Sequence, residues 1–260
     1  MVANAAISDS ISGAIRNAKA RGNPAIIPYI TAGFPRRETF RELLAAVAAA
    51  ADVVEIGVPF TDPMADGTTI QRSSRVALEQ GVSLRWILSE LSASSVRPKA
   101  PLLLMSYLNP LLAYGLDKLP SAAAEAGIAG FIVPDLPYEE CHELRAALES
   151  RGIALVQFVT PVTPADRVKM LCDASRGFIY GVTMTGTTGK NVAVPQEVLD
   201  YFQRVKAISP VPVCAGFGIR GREQVALMAP YVDGVIVGSA LVEVIERGED
   251  PAAFLRSLRG

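Results

Sequence analysis

The sequence of 260 residues contains one histidine and three cysteines, and this scarcity argues against several kinds of site. His142 stands alone, which disfavours an imidazole-rich metal centre or a Ser–His–Asp site. Cys141, Cys172 and Cys214 are far apart, odd in number and outside any C-x-x-C pair. This pattern argues against a disulfide framework or a thiolate zinc site and is typical of a reducing cytosol.

An excess of charge of either sign is also missing. The chain has 25 Lys and Arg against 26 Asp and Glu, a formal net charge of -1, so no basic surface for nucleic acid or anionic lipid is expected. The first residues contain no apolar core of signal-peptide length, and the longest apolar stretch, residues 43–51, is too short to span a bilayer. We therefore expect a soluble, cytoplasmic protein with neither nucleic acid nor a membrane as a partner.

Short runs rich in aliphatic residues recur along the chain. Their hydrophobicity is nearly continuous rather than alternating, which is typical of strands buried on both faces of a parallel sheet. We count eight such runs, over residues 25–31, 52–58, 101–107, 130–135, 154–160, 176–182, 211–217 and 233–239.

The segments between these runs carry apolar residues at three- and four-residue spacing, which indicates helices. The clearest cover residues 37–50, 139–150, 164–174, 196–208 and 222–229. Strand–helix alternation repeated in this way predicts an α/β fold, a (β/α)8 TIM barrel formed by a single domain over residues 1–260. An open doubly wound sheet is the main alternative, but it seldom needs eight units. Two extra helices are expected: an N-terminal one able to cap the bottom of the barrel, and one near residues 83–93, between strands 2 and 3.

Acidic residues occupy an unusual place in VEIGVPFTDPMADGTTIQ, residues 54–71. Glu55 lies inside an apolar strand, and Asp62 and Asp66 follow in the loop beyond it. In a TIM barrel the active site lies at the carboxyl ends of the strands, which places Glu55 near that end of strand 2 and Asp62 and Asp66 in the loop above it. Burial should raise the pKa of Glu55, unless a structural Arg or Lys pairs with it. Loop aspartates are commonly turn or cap residues; Asp66 could be one, and we assign Asp62 to that role.

Glycines mark the ends of the last two strands, in AGFGI (215–219) and VGSAL (237–241), and a helix follows each. Glycine allows close backbone approach, and helix N-termini attract anions, so these turns either bind a phosphate or only reverse the chain tightly. The loop TMTGTTGK (183–190) is either a lid over such a phosphate or an ordinary loop. Lys190 could neutralise a phosphate, although a solvated surface lysine is the simpler interpretation.

Seven segments together resemble the α subunit of tryptophan synthase in order and spacing, over nearly the whole chain. The most specific is VEIGVPFTDPMADG. The segments are residues 29–35, 54–67, 105–110, 130–140, 186–189, 215–219 and 237–242.

The resemblance implies a retro-aldol cleavage of indole-3-glycerol phosphate to indole and glyceraldehyde 3-phosphate. It gives Glu55 the role of catalytic acid and base, and Asp66 that of the carboxylate that holds the indole N–H. The implied indole pocket consists of Tyr29, Met105, Ile132, Phe158, Tyr180 and Phe217, each of which could instead be plain barrel core. The implied phosphate site consists of Gly189, Gly218, Gly238 and Ser239.

The resemblance also implies a β subunit as partner in an α2β2 heterotetramer, with indole passing to it through a tunnel. Pyridoxal phosphate would belong to that partner, so this chain is expected to hold no cofactor and no metal. Tyr107, Asn109, Pro110 and residues 59–66 lie where the family docks its partner. The family usually has proline where this chain has Thr68, which predicts a more mobile loop and altered coupling. Thr187 stands where the family's loop commonly has valine.

Three other functions are compatible with parts of the pattern. A related phosphate-sugar epimerase or isomerase is disfavoured by the single histidine and by the match around Glu55. A non-catalytic subunit that activates a β partner is disfavoured by the presence of both Glu55 and Asp66. A stand-alone lyase that releases free indole has the same site residues and requires an assay to distinguish it.

Overall fold

Eight parallel strands close into a barrel in which each strand pairs with the next and the last pairs with the first. The computed structural model describes residues 6–183, 194–216 and 218–259. The strands are β1 (Ala25–Thr31), β2 (Val54–Gly57), β3 (Leu102–Met105), β4 (Ile128–Ile132), β5 (Ala154–Val159), β6 (Ile179–Val182), β7 (Val213–Gly216) and β8 (Gly234–Val237).

Burial explains why the strands have continuous apolar sequences. All residues of β1, β2, β4 and β8 are buried, because one face packs inside the barrel and the other against helices. The predicted TIM barrel and its eight strands are therefore confirmed. Some predicted strands were longer than the observed ones. For example, β6 begins at Ile179 rather than at residue 176, because apolar residues outside the paired part of a strand can also be buried, as Phe178 is.

Helices surround the barrel in the described part of the chain. They are α1 (Ala6–Ala20), α2 (Phe40–Ala48), α3 (Thr68–Glu79), α4 (Leu84–Ser92), α5 (Leu108–Tyr114), α6 (Leu119–Glu125), α7 (His142–Glu149), α8 (Ala165–Ala174), α9 (Gln196–Ile208), α10 (Arg222–Met228), α11 (Ser239–Glu246) and α12 (Pro251–Ser257). The extra helix between strands 2 and 3 is confirmed as α4. Among the described helices, none has both the length and the hydrophobicity that a membrane span requires.

The N-terminal helix α1 closes the bottom of the barrel, as predicted. Ile11 and Ile15 are fully buried against residues of the barrel interior. The Ser12 hydroxyl donates a hydrogen bond of 2.6 Å to the Gly177 carbonyl, and a Cβ atom at Gly130 would lie 3.1 Å from the Ile11 side chain. With the bottom filled by side chains, the open end of the barrel is the one at the carboxyl ends of the strands.

Candidate active site

A cavity of ≈ 530 Å³ opens at the carboxyl ends of the strands. It is lined by apolar side chains, two carboxyl groups and several glycines, and every strand except β4 contributes a described residue; the loop after β4 contributes Pro134. The predicted site residues that line it are Tyr29, Glu55, Asp66, Met105, Phe158, Tyr180, Gly218, Gly238 and Ser239.

Glu55 is the most unusual residue of this cavity. It pairs in register with Tyr29 of β1 and Leu103 of β3, and its side chain has 0% exposure to solvent. Neither carboxyl oxygen has a hydrogen-bond partner among the described residues, and no described cation forms an ion pair with it. Burial raises its pKa to about 8, so Glu55 is mostly protonated at neutral pH. The alternative of a buried Glu paired with a structural Arg or Lys has no support in the described part of the chain.

Asp66 lies immediately before Gly67, the residue that caps the N-terminus of α3. Its carboxylate is half-buried and accepts a hydrogen bond from the Tyr107 hydroxyl. Burial raises the pKa of Asp66 to about 6, and the hydrogen bond from Tyr107 opposes that rise. Asp66 is therefore mostly ionised at pH 7 while Glu55 is mostly protonated, so the cavity holds one proton donor and one negative charge.

Tyr107 fixes the loop that carries Asp66. Its hydroxyl accepts a hydrogen bond of 2.9 Å from the Ala65 N–H, and its ring stacks on Phe60 with centroids 5.2 Å apart. Sequence patterns placed Tyr107 only at a docking surface and missed its contact with Asp66, because the two residues are far apart in the chain. Asp62, by contrast, is exposed and receives a hydrogen bond from its neighbour Thr61, in agreement with its assignment to loop structure.

Aromatic rings line a slot in the cavity. Phe158 and Tyr180 lie side by side with ring centroids 4.9 Å apart. The Tyr180 ring lies directly over Gly216, and the Tyr29 hydroxyl lies directly over Gly57, so a methyl group at either glycine would overlap the tyrosine. The slot therefore depends on the absence of a side chain beneath two of its rings.

Ile132 is the one described residue of the predicted pocket that does not line the cavity. It is buried in the barrel interior, in the same core cluster as Tyr180 and Ile236. Phe217 lies outside the described residues. Sequence patterns missed several residues that do line the cavity: Ala65, Gly67, Ile70, Pro134, Thr160, Val182, Thr183, Gly216 and Ile236.

Backbone groups that follow the last two strands form another part of the cavity wall. Gly218 has φ +60°, in the left-handed region that favours glycine. Gly238 caps α11, and its carbonyl accepts the first N–H groups bonded within that helix, those of Leu241 and Val242. The N–H groups of Ser239 and Ala240 precede these bonds and remain available to an anion. Gly189 and Lys190 lie outside the described residues, as do Thr187 and most of the loop 183–190.

The described residues include no group of three or more His, Cys, Asp or Glu side chains able to hold a metal ion. A cavity with a protonated Glu, an ionised Asp, an aromatic slot and N–H groups at a helix N-terminus is suited to acid–base chemistry on a flat, apolar molecule that carries a phosphate.

Comparison of the whole sequence with known proteins shows that the chain is similar to one family. The family model described as tryptophan synthase alpha chain matches residues 15–258. The tryptophan synthase alpha chain of Nitratidesulfovibrio vulgaris strain DP4 is 44% identical over 244 residues, 94% of this chain and 95% of that protein. That of Roseiflexus sp. strain RS-1 is 42% identical over 250 residues, 93% of this chain and 96% of that protein.

Solved structures agree with the sequence comparison. Tryptophan synthase subunit alpha from Legionella pneumophila superposes with a TM-score of 0.86 at 33% identity, covering 96% of this chain and 97% of that one. A chain of tryptophan synthase from M. tuberculosis, in an open form with BRD0059 bound, gives a TM-score of 0.86 at 34% identity and covers 96% of both chains.

Proposed function

The chain belongs to the tryptophan synthase alpha chain family, and we propose that Glu55 and Asp66 carry out the reaction of that family in the cavity described above. The reaction is the lyase step of L-tryptophan biosynthesis that cleaves indole-3-glycerol phosphate to indole and glyceraldehyde 3-phosphate. The observation that carries the residue assignment is the Glu55 carboxyl group, which lies in the cavity, fully buried and without a described hydrogen-bond partner.

A single carboxyl group can accomplish both proton transfers of this cleavage. Protonated Glu55 gives its proton to C3 of the indole ring, and its carboxylate then accepts the proton of the hydroxyl on the adjacent carbon. The electron pair of that O–H bond forms the aldehyde C=O, the carbon–carbon bond breaks, and its electron pair returns to the ring. The raised pKa of Glu55, about 8, supplies the acid form in which this cycle begins and ends.

Asp66 stabilises the charge that the proton transfer creates. Protonation at C3 leaves positive character on the ring nitrogen, and an ionised carboxylate near the N–H stabilises it. Asp66 has a pKa of about 6, below that of Glu55, and so keeps its charge while Glu55 holds its proton. The two acids thus have different roles because their environments differ.

The rest of the cavity fits the other parts of the substrate. The slot of Tyr29, Met105, Phe158 and Tyr180 would hold the indole ring, and the N–H groups near Gly218, Gly238 and Ser239 would bind the phosphate. Because both acid–base steps use side chains of this chain, we propose that it needs no cofactor or metal of its own, and that pyridoxal phosphate belongs to the partner.

The partner is the tryptophan synthase β subunit, with which we expect an α2β2 heterotetramer in the cytoplasm. Exposed apolar side chains lie near Tyr107, Asn109 and Pro110: Met64 is 91% exposed and Leu112 on α5 is 51% exposed. Covering such side chains favours association, so we propose this face as the docking surface. Thr68 is the first residue of α3, a position where proline is favoured, and its effect on loop mobility stays a prediction.

Measurement of indole released from indole-3-glycerol phosphate, with and without a tryptophan synthase β subunit, tests this function. We expect slow release by the isolated chain and strong stimulation by the partner. Fast release without the partner would instead identify a stand-alone lyase. Stimulation of the β subunit without any cleavage would identify a non-catalytic activator, and folded protein with no indole under either condition would contradict the lyase assignment.

Replacement of Tyr107 by phenylalanine should lower turnover roughly tenfold, because Asp66 loses a hydrogen bond to its charged form. The same loss should raise the pKa of Asp66, so the acidic limb of the pH profile of kcat/KM should move to higher pH. Rates of indole release between pH 5 and pH 8 provide the measurement.

Tyr114→Phe is the matched control for this variant. Tyr114 ends α5, and its ring faces Arg85 rather than the cavity, so its pH profile should match that of the unmodified chain. An acidic limb that stays in place in Tyr107→Phe would show that the Tyr107 hydroxyl does not tune Asp66.

A further inference from the structure

Polar contacts join helices α3 and α11 at two levels. The Thr69 hydroxyl contacts a carboxylate oxygen of Glu243 at 3.4 Å. One turn further, the Arg72 guanidinium forms two hydrogen bonds with the Glu246 carboxylate, at 2.8 Å and 2.6 Å. Both partners advance by three residues, so the helices run side by side in the same direction. We call these four residues the α3–α11 strap.

The strap connects two helices whose N-termini meet the same cavity. Asp66 and Gly67 directly precede α3, and Gly238 and Ser239 begin α11. All four of these residues line the cavity. The strap therefore lies within two turns of both the proposed indole-binding carboxylate and the proposed phosphate-binding N–H groups.

Glu243 also contacts a third element of the cavity wall. Its carboxylate forms an ion pair with Arg220, which follows Gly218 by two residues. The Arg220 backbone N–H in turn donates a hydrogen bond of 2.7 Å to the Gln224 side chain. One carboxylate thus connects α11, the first turn of α3 and the loop after β7.

We propose that Glu243 and Glu246 are positioning residues for the cleavage reaction, which hold Asp66 at a fixed distance from the substrate phosphate. This inference rests on the proposed function. The phosphate anchors one end of the substrate on α11 and the loop after β7, while Asp66 must meet the ring nitrogen at the other end. Small displacements between such groups lower the rate steeply, since reaction requires near-attack geometry.

The strap should affect the position of Asp66 more than the stability of the fold. Its ion pairs are partly exposed, with Arg72 at 42% and Glu246 at 39% side-chain exposure, and exposed pairs contribute little to folding. A purely structural pair would therefore leave both activity and melting temperature nearly unchanged when broken. A positioning pair would lower turnover while leaving the melting temperature and phosphate affinity unchanged.

Breaking and reversing the Arg72–Glu246 pair tests the proposal. Arg72→Met and Glu246→Gln should each lower kcat for indole-3-glycerol phosphate roughly fivefold, with the affinity for inorganic phosphate unchanged by calorimetry. The double variant Arg72→Glu with Glu246→Arg should recover most of the lost turnover. Arg167→Gln is the matched control, because it breaks an equally forked pair with Glu139 that touches neither α3 nor α11.

Hydrogen exchange gives a second measurement that needs no catalysis. Inorganic phosphate should slow amide exchange in residues 66–72 of the unmodified chain, and this protection should be lost in Arg72→Met and Glu246→Gln. Unchanged kcat and unchanged protection in both variants would overturn the proposal. Failure of the unmodified chain to cleave the substrate would instead contradict the proposed function, while the exchange experiment would still test the connection.

Discussion

Replacement of Glu55 by glutamine is expected to lower the turnover of indole-3-glycerol phosphate by roughly a thousandfold or more, because one group performs both proton transfers. The amide keeps the size of the side chain but neither donates an acidic proton nor accepts one. Single-turnover indole release, with enzyme in excess over substrate, measures the effect. Binding of glycerol 3-phosphate should be retained, since the phosphate-binding N–H groups are not altered.

Asp62→Asn is the matched control for Glu55→Gln. It makes the same chemical change in an exposed acid of the neighbouring loop, whose described side-chain partner is Thr61. Its turnover in the isolated chain should equal that of the unmodified protein. If Glu55→Gln retained more than about a tenth of the activity, Glu55 would be a structural residue and the mechanism proposed above would be wrong.

The same variant should also change how stability depends on pH. Burial raises the pKa of Glu55 from 4.5 in the unfolded chain to about 8 in the folded one. Between these values the folded state binds the proton more tightly than the unfolded state, so the free energy of unfolding falls as pH rises. Below pH 4.5 both states hold the proton, and above pH 8 both have lost it, so the loss is confined to this window.

Urea denaturation of the unmodified chain and of Glu55→Gln at pH 5, 6, 7 and 8 measures this loss of unfolding free energy. The unmodified chain should lose about 3 kcal/mol more than Glu55→Gln across this range, because the variant lacks the titrating group. Asp66 and the other acids contribute equally to both proteins and cancel in the comparison. Parallel stability curves would show that Glu55 is ionised and solvated in the folded state.

The fold was predictable from the sequence because strands buried on both faces have continuous apolar sequences. Long helices such as α9 were predicted to the residue, Gln196–Ile208, since three turns are enough to show the helical period. The short helices α5, α6 and α12 were not predicted. Each has seven residues, about two turns, which show the helical period poorly, although α10 of the same length was predicted. The twelve-residue α3 was also not predicted, because two of the four residues that it buries are serines and its apolar face is weak.

The site was predictable where chemistry and strand position coincide, as they do for Glu55 and for the glycines after β7 and β8. It was not predictable where a role depends on contacts between distant parts of the chain. The hydroxyl of Tyr107 meets Asp66 only after β2 and β3 pair, and Glu243 meets Thr69 across 174 residues of sequence. Ile132 shows the opposite kind of error. It is an apolar strand residue that was predicted to line the cavity, but it does not belong to the cavity lining.

The glycines beneath the two tyrosines have a consequence for redesign of the enzyme. Two glycine–tyrosine pairs are sterically coupled, because the tyrosine occupies the space that a side chain at the glycine would need. The pairs are Gly57 with Tyr29 and Gly216 with Tyr180. The two members of each pair must therefore be substituted together, because a side chain added at the glycine would overlap the tyrosine unless the tyrosine is also replaced by a smaller residue. Libraries that exchange both members together, and not single positions, should yield variants that accept substituted indoles.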